Sequence, residues 1–160
     1  MATNLTSPRL LHEKFKFLVR VEGITSAAFQ KMSELSVEAA KVEYYEGASL
    51  IPIKDPGRLT YSDVTLERGA SQSENFFTWM KEVSDARLTV DGGGQGSGMP
   101  SPLYKREIGI EQLERDNTIL RTWQLANAWP TKYVAGDWDN TVDEVVIETL
   151  TLTYDYFDID

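Results

Sequence analysis

Residues 144–157, EVVIETLTLTYDYF, carry the clearest structural pattern in the chain. Apolar residues on one phase alternate with threonines on the other, and this period of two is typical of a strand with one buried face. The β-branched and aromatic residues that fill it are favoured in strands. Glu148 is the one interruption of the apolar phase. The apolar phase contains Val146, Leu150, Leu152, Tyr154 and Tyr156, and the other contains Thr149, Thr151 and Thr153.

The same alternation occurs nearer the start of the chain. Residues 15–21, FKFLVRV, are predicted to form a strand that ends at Gly23. Residues 29–45 are predicted to be extended as well, but their apolar phase changes between Ala39 and Ala40. A change of phase within a strand indicates a β-bulge or two abutting strands.

Three more segments favour strands. Residues 59–68 alternate, and residues 105–113 and 119–126 are predicted to pair as a hairpin around a turn at residues 116–117. Residues 129–143 are expected to form a turn region before the final strand.

One helix is predicted, over residues 73–83. Ser71 and Glu74 have the spacing of a capping box, in which a hydroxyl and a carboxylate bind unpaired backbone N–H groups. An apolar face follows at helical spacing, and such a face is expected to cover an open end or face of the sheet. This face consists of Phe76, Trp79, Met80 and Val83.

These elements predict a single domain, residues 1–160, of a mainly β (α+β) class: a β-sandwich or barrel of six to eight strands with one capping helix. Residues 1–14 are expected to form an irregular arm. Residues 91–102 contain five glycines and are expected to form a flexible loop.

Composition excludes several classes of function. The 160 residues include no cysteine, which removes disulfides, thiolate metal sites and cysteine nucleophiles. The net charge of −9 disfavours general binding to nucleic acid. No apolar run approaches the roughly 20 residues that span a bilayer, so no membrane insertion is expected. Residues 1–11 lack the apolar core of a signal peptide, which suggests synthesis in a bacterial cytoplasm without such a signal.

Catalytic chemistry finds little support. His12 is the only histidine and lies in the predicted arm, so a serine triad or a histidine zinc site is not expected. The glycine-rich loop lacks the Gly-Lys-Ser/Thr ending of a phosphate-binding loop. The only feature compatible with an acid/base hydrolase is the presence of 25 acidic residues. We therefore expect no enzyme, no catalytic residue and no cofactor.

Five residues between positions 137 and 148 have the spacing of the ligand positions in a calcium-binding loop. Val142 stands where that loop requires glycine, and a strand follows instead of a helix, so no metal site is assigned. Calcium titration followed by Trp138 fluorescence would decide whether an ion binds. The residues with the calcium-loop offsets are Asp137, Asp139, Thr141, Asp143 and Glu148.

Residues 47–58 are predicted to form a loop, because prolines and a glycine interrupt the strand pattern. The segment is unusually apolar for an exposed loop, and it is the candidate self-assembly segment. Alternatively, its apolar side chains fold back onto their own core. The candidate residues are Gly47, Leu50, Ile51, Pro52, Ile53, Lys54, Pro56, Gly57 and Arg58.

The order of these segments resembles the tail-tube family of contractile-tailed phages, which includes the inner-tube subunits of extracellular contractile injection systems. Three stretches that resemble the family precede the helix with Trp79, and two follow it. These stretches are FKFLVRVEGI (15–24), AAFQKMSELSVEAAKVEYYEGA (27–48), KDPGRLTYSDVTLERG (54–69), NAWPTKY (127–133) and EVVIETLTLTYDYF (144–157).

The resemblance implies a β-sandwich subunit that forms hexameric rings, with strands continuing from one subunit to the next. The rings stack into a hollow tube in a virion tail or injection particle, inside a sheath and above a baseplate and spike. DNA or cargo would pass through the lumen without specific binding. The net charge predicts an acidic or neutral lumen wall. Long alternating strands agree with assembly, since their unpaired edges must be covered.

Two alternatives remain open beside the repeating tube subunit. One is a tube-initiator subunit in a ring next to the baseplate of the same particle. The other is a monomeric β-sandwich module that binds carbohydrate or calcium, which predicts a monomer stabilised by its ligand.

Overall fold

The computed structural model describes residues 16–27, 29–70, 75–91 and 104–160. Its elements in chain order are β1 (Phe17–Val21), β2 (Ile24–Ala27), β3 (Lys31–Met32), β4 (Val37–Tyr44), β5 (Ile53–Tyr61), β6 (Val64–Gly69), α1 (Asn75–Asp91), β7 (Arg106–Leu113), β8 (Ile119–Val134), β9 (Ile147–Thr153) and β10 (Tyr156–Ile159).

Two predicted segments fall largely outside these residues. The arm, residues 1–14, and the two capping-box residues, Ser71 and Glu74, are not among them. Of the predicted glycine-rich loop, residues 91–102, only Asp91 is described, and it is the last residue of α1.

The helix is longer than predicted. It runs two turns past Val83, because the sequence contains no glycine or proline to stop it before Gly92. Phe76 and Trp79 are buried as predicted, while Met80 and Val83 are half-buried. The Trp79 indole N–H donates to the Tyr104 carbonyl oxygen at 2.6 Å, which ties the helix to the chain before β7.

Eight strands form one antiparallel sheet in the order β2-β1-β7-β8-β9-β6-β3, with β10 also paired to β8. The predicted hairpin of β7 and β8 is confirmed, and its turn places Asn117 at a φ of 68°. The Glu114 N–H donates to the Thr118 carbonyl across this turn at 2.9 Å.

The predicted turn region, residues 129–143, is wrong at its start, since β8 continues to Val134. The first part of β8 pairs with β7 and β10, and residues 129–134 pair with β9. Pro130 is tolerated because the pairing register shifts between Pro130 and Lys132, and irregularities of this kind accept proline.

One apolar core joins both parts of the sheet to the helix. Alternate residues of β1, β6, β7, β8 and β9 point into it together with the aromatic residues of α1, as the period of two predicts. Its least exposed large side chains are Trp79, Phe76, Leu66, Ile108, Leu125 and Leu152.

The predicted class is confirmed: the protein is mainly β with one helix. It has more strands than the six to eight expected, because β2 was not predicted and three predicted segments are each divided, the segment 29–45 between β3 and β4. The segment 59–68 is interrupted at Ser62 and Asp63, and the final segment at Tyr154 and Asp155. In the parts of the chain that the structure describes, no helix has the length and apolarity to cross a membrane.

Candidate assembly surface

Strands β4 and β5 form a two-stranded sheet of their own, separate from the eight-stranded sheet. They pair in antiparallel register from Val37 opposite Tyr61 to Tyr44 opposite Ile53. An isolated two-stranded hairpin is marginally stable in water. This hairpin, residues 37–61, therefore depends for its stability on contacts beyond its own two strands.

The predicted loop over residues 47–58 is wrong in its second half. Ile53, Lys54, Pro56, Gly57 and Arg58 belong to β5, and only the residues before Ile53 form the connection. Gly47, Leu50, Ile51 and Pro52 lie in that connection, at the hairpin tip, which we define as residues 45–52.

A bulge explains how β5 accommodates Pro56 and Gly57. The register shifts between Ala39 and Lys41, at the position where the apolar phase changes, so the predicted bulge is confirmed. A Cβ atom on Gly57 would lie 2.9 Å from the Ala40 carbonyl oxygen. Glycine therefore allows β5 to lie close against the bulge of β4.

The hairpin tip has a defined backbone. Gly47 adopts a φ of 50°, and the Ser49 N–H donates to the Glu46 carbonyl at 2.9 Å. The Ser49 hydroxyl accepts from the Ile51 N–H at 3.3 Å and donates to the Ile51 carbonyl at 3.0 Å. Leu50 and Ile51 are thus held outward by a hydrogen-bonded turn.

Apolar side chains of the hairpin are exposed along both of its strands and at its tip. Leu50 is 96% exposed and Ile51 77%, and Ile53 is exposed as well. The alternative in which these three fold back onto their own core is therefore wrong for this chain. Exposed apolar patches of this extent mark interaction sites. The exposed apolar residues of the hairpin are Val37, Val42, Tyr44, Tyr45, Leu50, Ile51, Ile53 and Leu59.

Five of these residues were missed from sequence: Val37, Val42, Tyr44, Tyr45 and Leu59. Alternation predicts a strand with one buried face, whereas every residue of β4 is exposed. The change of phase indicated the bulge, but no local pattern indicated that the whole of β4 is exposed.

The base of the hairpin is anchored to the core. The Ser62 N–H donates to the Ser36 carbonyl at 3.1 Å, and the Ser36 N–H donates to the Ser62 hydroxyl at 3.2 Å. The Tyr61 ring packs edge-on against Phe157 at 5.3 Å between centroids. These contacts hold the base of the hairpin against the core.

Three strands of the eight-stranded sheet are paired on one side only among the described residues. β2 and the two-residue β3 end the strand order, and β10 pairs with β8 alone. Unpaired edges offer backbone donors and acceptors to another chain.

The residues with calcium-loop spacing do not act together. Asp139 accepts hydrogen bonds from the Thr141 hydroxyl at 2.7 Å and the Thr141 N–H at 2.9 Å, and these bonds lower the pKa of the Asp139 carboxyl. Glu148 points into the core instead. Among the described residues, no three histidine, cysteine, aspartate or glutamate side chains are grouped to hold a metal ion.

Glu148 takes part in a buried ion pair with Arg68, between β9 and β6. The Tyr133 hydroxyl donates to the second Glu148 carboxylate oxygen at 2.8 Å, and the Arg68 guanidinium lies 3.8 Å from the centre of the Phe76 ring. Burial, followed by the bond to Glu148, raises the pKa of the Tyr133 phenol. This cluster joins the sheet to the helix and is a structural arrangement.

Comparisons with known proteins agree with this architecture. A chain in the cryo-EM structure of the PVC sheath–tube complex, an extracellular contractile injection system in its extended state, is 22% identical, with a TM-score of 0.73 over 100% of this chain and 98% of that one. A chain of the PVC sheath/tube terminator is 22% identical, with a TM-score of 0.74 over 96% and 99%. A chain of the anti-feeding prophage tube-terminating cap is 21% identical, with a TM-score of 0.71 over 99% of both. At such identities the likeness shows the fold.

No curated protein matches the sequence. The family model described as T4-like virus tail tube protein gp19 does match, over residues 13–158. This range includes the helix, the exposed hairpin and all of the strands described here except the last residue of β10, so the chain belongs to the T4-like virus tail tube protein family.

Proposed function

We propose that this chain is a non-enzymatic structural subunit of the inner tube of a contractile phage tail or a phage-tail-like injection particle. Copies of it form hexameric rings, and the rings stack around a hollow lumen. The observation that carries the proposal is the hairpin of residues 37–61, whose apolar side chains the chain itself does not cover. Family membership and the fold likeness support the same reading.

Closure of the subunits into a ring explains how the unpaired edges of the sheet are covered. A strand at the edge of a sheet pairs readily with another chain, and a cyclic assembly covers every such edge without leaving free ends. We propose that β2 and β3 contribute to these contacts, and that the hairpin packs on an adjacent subunit or ring. The sheath, baseplate and spike proteins of the particle are the further partners.

The tube acts passively as a rigid conduit. With a net charge of −9, its lumen wall is acidic or neutral, so DNA or an acidic cargo is repelled and passes without specific binding. A particle structure with a strongly basic lumen would contradict this part of the proposal.

A second candidate is a ring subunit at one end of the same tube, next to the baseplate. Membership of the tail tube family fits either position in the tube, so it does not favour one over the other. The number of copies per particle separates the two: many stacked rings for the tube, and one ring for its end.

Electron microscopy of the purified protein tests the proposal. Rings or tubes are expected at high protein concentration or beside the sheath and baseplate partners. A protein that stays strictly monomeric under all of these conditions would overturn it. A monomer stabilised by calcium or by a sugar would instead favour the binding module.

A further inference from the structure

The connection between β8 and β9 forms an exposed surface that belongs neither to the hairpin nor to the edges of the sheet. Its residues enclose a groove of about 210 Å³, which we call the acidic groove. A cavity of about 150 Å³ is enough to hold a benzene ring, so the acidic groove has room for an aliphatic side chain. Its lining includes Asp137, Trp138, Val142, Glu144, Val145 and Val146.

The acidic groove combines exposed apolar side chains with negative charge. Trp138 and Val145 are each 74% exposed, and Val142 is exposed as well. An exposed tryptophan beside aliphatic side chains is typical of the centre of a binding surface. Residues 135–146 contain four carboxylates and no cationic side chain. The groove therefore fits a chain segment that presents aliphatic side chains next to basic ones.

The backbone of this connection is held by contacts within it. Gly136 has a φ of 96°, and a Cβ atom there would lie 2.6 Å from a Val146 methyl group and 2.7 Å from the Ile147 carbonyl oxygen. The start of the connection is therefore closed against its end. Asp139 fixes the turn through its bonds to Thr141. A preformed surface loses little conformational entropy on binding, which favours docking.

Residues 9–15, RLLHEKF, have the composition that the acidic groove requires. They precede Lys16, the first residue that the structure describes. The segment contains two cations and one anion beside a pair of leucines, so it is net positive in a chain of charge −9. The hairpin tip is not complementary in this way, because its one charged residue is Glu46. The residues of the segment used below are Arg9, Leu10, Leu11 and Lys14.

The length of the chain places this segment out of reach of its own groove. The Lys16 ammonium group donates to the Arg115 carbonyl at 2.8 Å and to the Asn117 side-chain oxygen at 3.0 Å, at the β7–β8 turn. The acidic groove lies beyond Val134, at the other end of the 16-residue β8. A straight strand of that length spans about 50 Å, and one bent at a right angle in its middle spans about 35 Å. The chain from Leu10 to Lys16 spans at most about 22 Å. A contact between this segment and the groove therefore joins two copies.

We propose that residues 9–15 of one copy dock in the acidic groove of a second copy. The two leucines pack on Trp138 and Val145, and the two cations face the carboxylates of Asp137 and Glu144. The inference rests on the proposed function and adds to it a contact that does not involve the hairpin. Donor and acceptor lie at opposite ends of β8, so the contact propagates head to tail from copy to copy.

Cysteine cross-linking tests the contact directly, because the chain has no cysteine of its own. The variants are Leu11→Cys, Val145→Cys and the two combined, each assembled and then treated with a short bismaleimide. The combined variant is expected to give a ladder of covalent dimers, trimers and higher species on a denaturing gel. Each single variant gives at most a dimer. The matched control pairs Leu11→Cys with Lys81→Cys, an exposed position on α1 outside the groove, and gives no ladder.

The outcomes separate the two proposals. If wild-type tubes form but the combined variant cross-links no more than the control pair, the docking inference is wrong and the tube proposal stands. If wild-type protein never assembles, the tube proposal fails and the inference fails with it.

A charge exchange decides the matter if the cysteines themselves prevent assembly. Arg9→Glu with Lys14→Glu is expected to abolish tube formation in electron microscopy and sedimentation, and adding Asp137→Lys with Glu144→Lys to the same chain restores it. Arg9→Lys with Lys14→Arg keeps both charges and is the control that assembles as the wild type does. Normal tubes from the first pair, or folded subunits that the second pair does not restore, would overturn the inference.

Discussion

The Asn127 side-chain amide donates a hydrogen bond to the Asp155 carboxylate at 2.8 Å, where strand β8 changes its partners. Asn127 adopts a φ of 53°, in the left-handed region that asparagine tolerates better than most residues. The Asp155 N–H donates to the Ala126 carbonyl at 3.0 Å, and the Asn127 N–H donates to a Glu107 carboxylate oxygen at 3.2 Å. This residue therefore holds the two parts of the sheet in register.

Asn127→Ala is expected to destabilise the monomer by about 1–2 kcal/mol, from the lost hydrogen bond and the unfavourable φ of alanine. Asn127→Gly is the matched control, because it loses the same hydrogen bond but accepts the φ. It should be less destabilising in urea unfolding. An alanine variant as stable as the glycine variant would argue against the role of the backbone conformation.

The ion pair of Arg68 and Glu148 predicts a large effect on stability. Glu148→Leu leaves the guanidinium buried without this partner, and breaking a buried pair in this way costs about 3–5 kcal/mol. The double variant Arg68→Met with Glu148→Leu should recover much of the lost free energy of unfolding. The control is Arg20→Ala, which removes a pair whose arginine is 57% exposed and should change stability by less than about 1 kcal/mol. Equal losses in the two single variants, Glu148→Leu and Arg20→Ala, would contradict this account.

Sequence patterns predicted which residues next to Glu148 along β9 face the core, but they did not predict the ion pair between Glu148 and Arg68. Alternation placed Leu150 and Leu152 inside, and both are buried. Glu148 stood in the same apolar phase and looked like an interruption. Its partner Arg68 is 80 residues away, and a pair of that separation depends on which strands become neighbours. Local patterns carry no information about that choice.

Only part of the assembly surface was predicted, again because the deciding feature depends on two strands that pair and not on one strand. Prolines and glycine near residue 56 indicate a loop when the strand is considered alone. The bulge at Ala40 on the partner strand makes room for Gly57, so β5 continues through this region. Whether β5 can continue through Gly57 depends on the bulge in its partner strand, so it cannot be deduced from the sequence of β5 alone.

Tyr133 predicts a dependence of stability on pH. Its phenol pKa is raised above 10.0 by burial first and then by the bond to Glu148. The native state therefore holds the phenol proton more tightly than the unfolded state. The associated stability is fully present below the unfolded pKa of about 10 and is lost as the pH rises through the folded pKa.

The measurement is the free energy of urea unfolding between about pH 8 and pH 11 for wild type and Tyr133→Phe. The difference between the two proteins is expected to shrink as the pH rises, since phenylalanine has no proton to lose. Using the difference cancels the titration of the other tyrosines. A constant difference across this range would show that Tyr133 does not titrate with a raised pKa.

Gly57 predicts a separation of folding from assembly. Gly57→Val places a side chain within about 3 Å of the Ala40 carbonyl, where a Cβ would already lie at 2.9 Å. The β4–β5 pairing should be lost while the core around Trp79 stays intact, because the hairpin lies outside the main sheet. The near-ultraviolet circular dichroism signal of the packed aromatic core is expected to be unchanged, while ring formation is abolished. Gly109→Ala is the control, since nothing lies within 4 Å of its added Cβ. Normal rings from Gly57→Val would contradict the need for the bulge contact.

Leu50 at the hairpin tip allows assembly to be changed without changing the monomer. Because the side chain is 96% exposed, Leu50→Asp is expected to alter the free energy of unfolding of the monomer by no more than about 0.5 kcal/mol. In an assembled tube the same change would bury an unpaired carboxylate, which is strongly unfavourable.

Rings and tubes of Leu50→Asp should therefore disappear in electron microscopy and sedimentation, while Leu50→Met, which keeps the apolar surface, assembles as the wild type does. Assembly of both variants would show that the tip is not buried in the particle. Unfolding of Leu50→Asp would show instead that Leu50 already packs within its own subunit, contrary to its exposure.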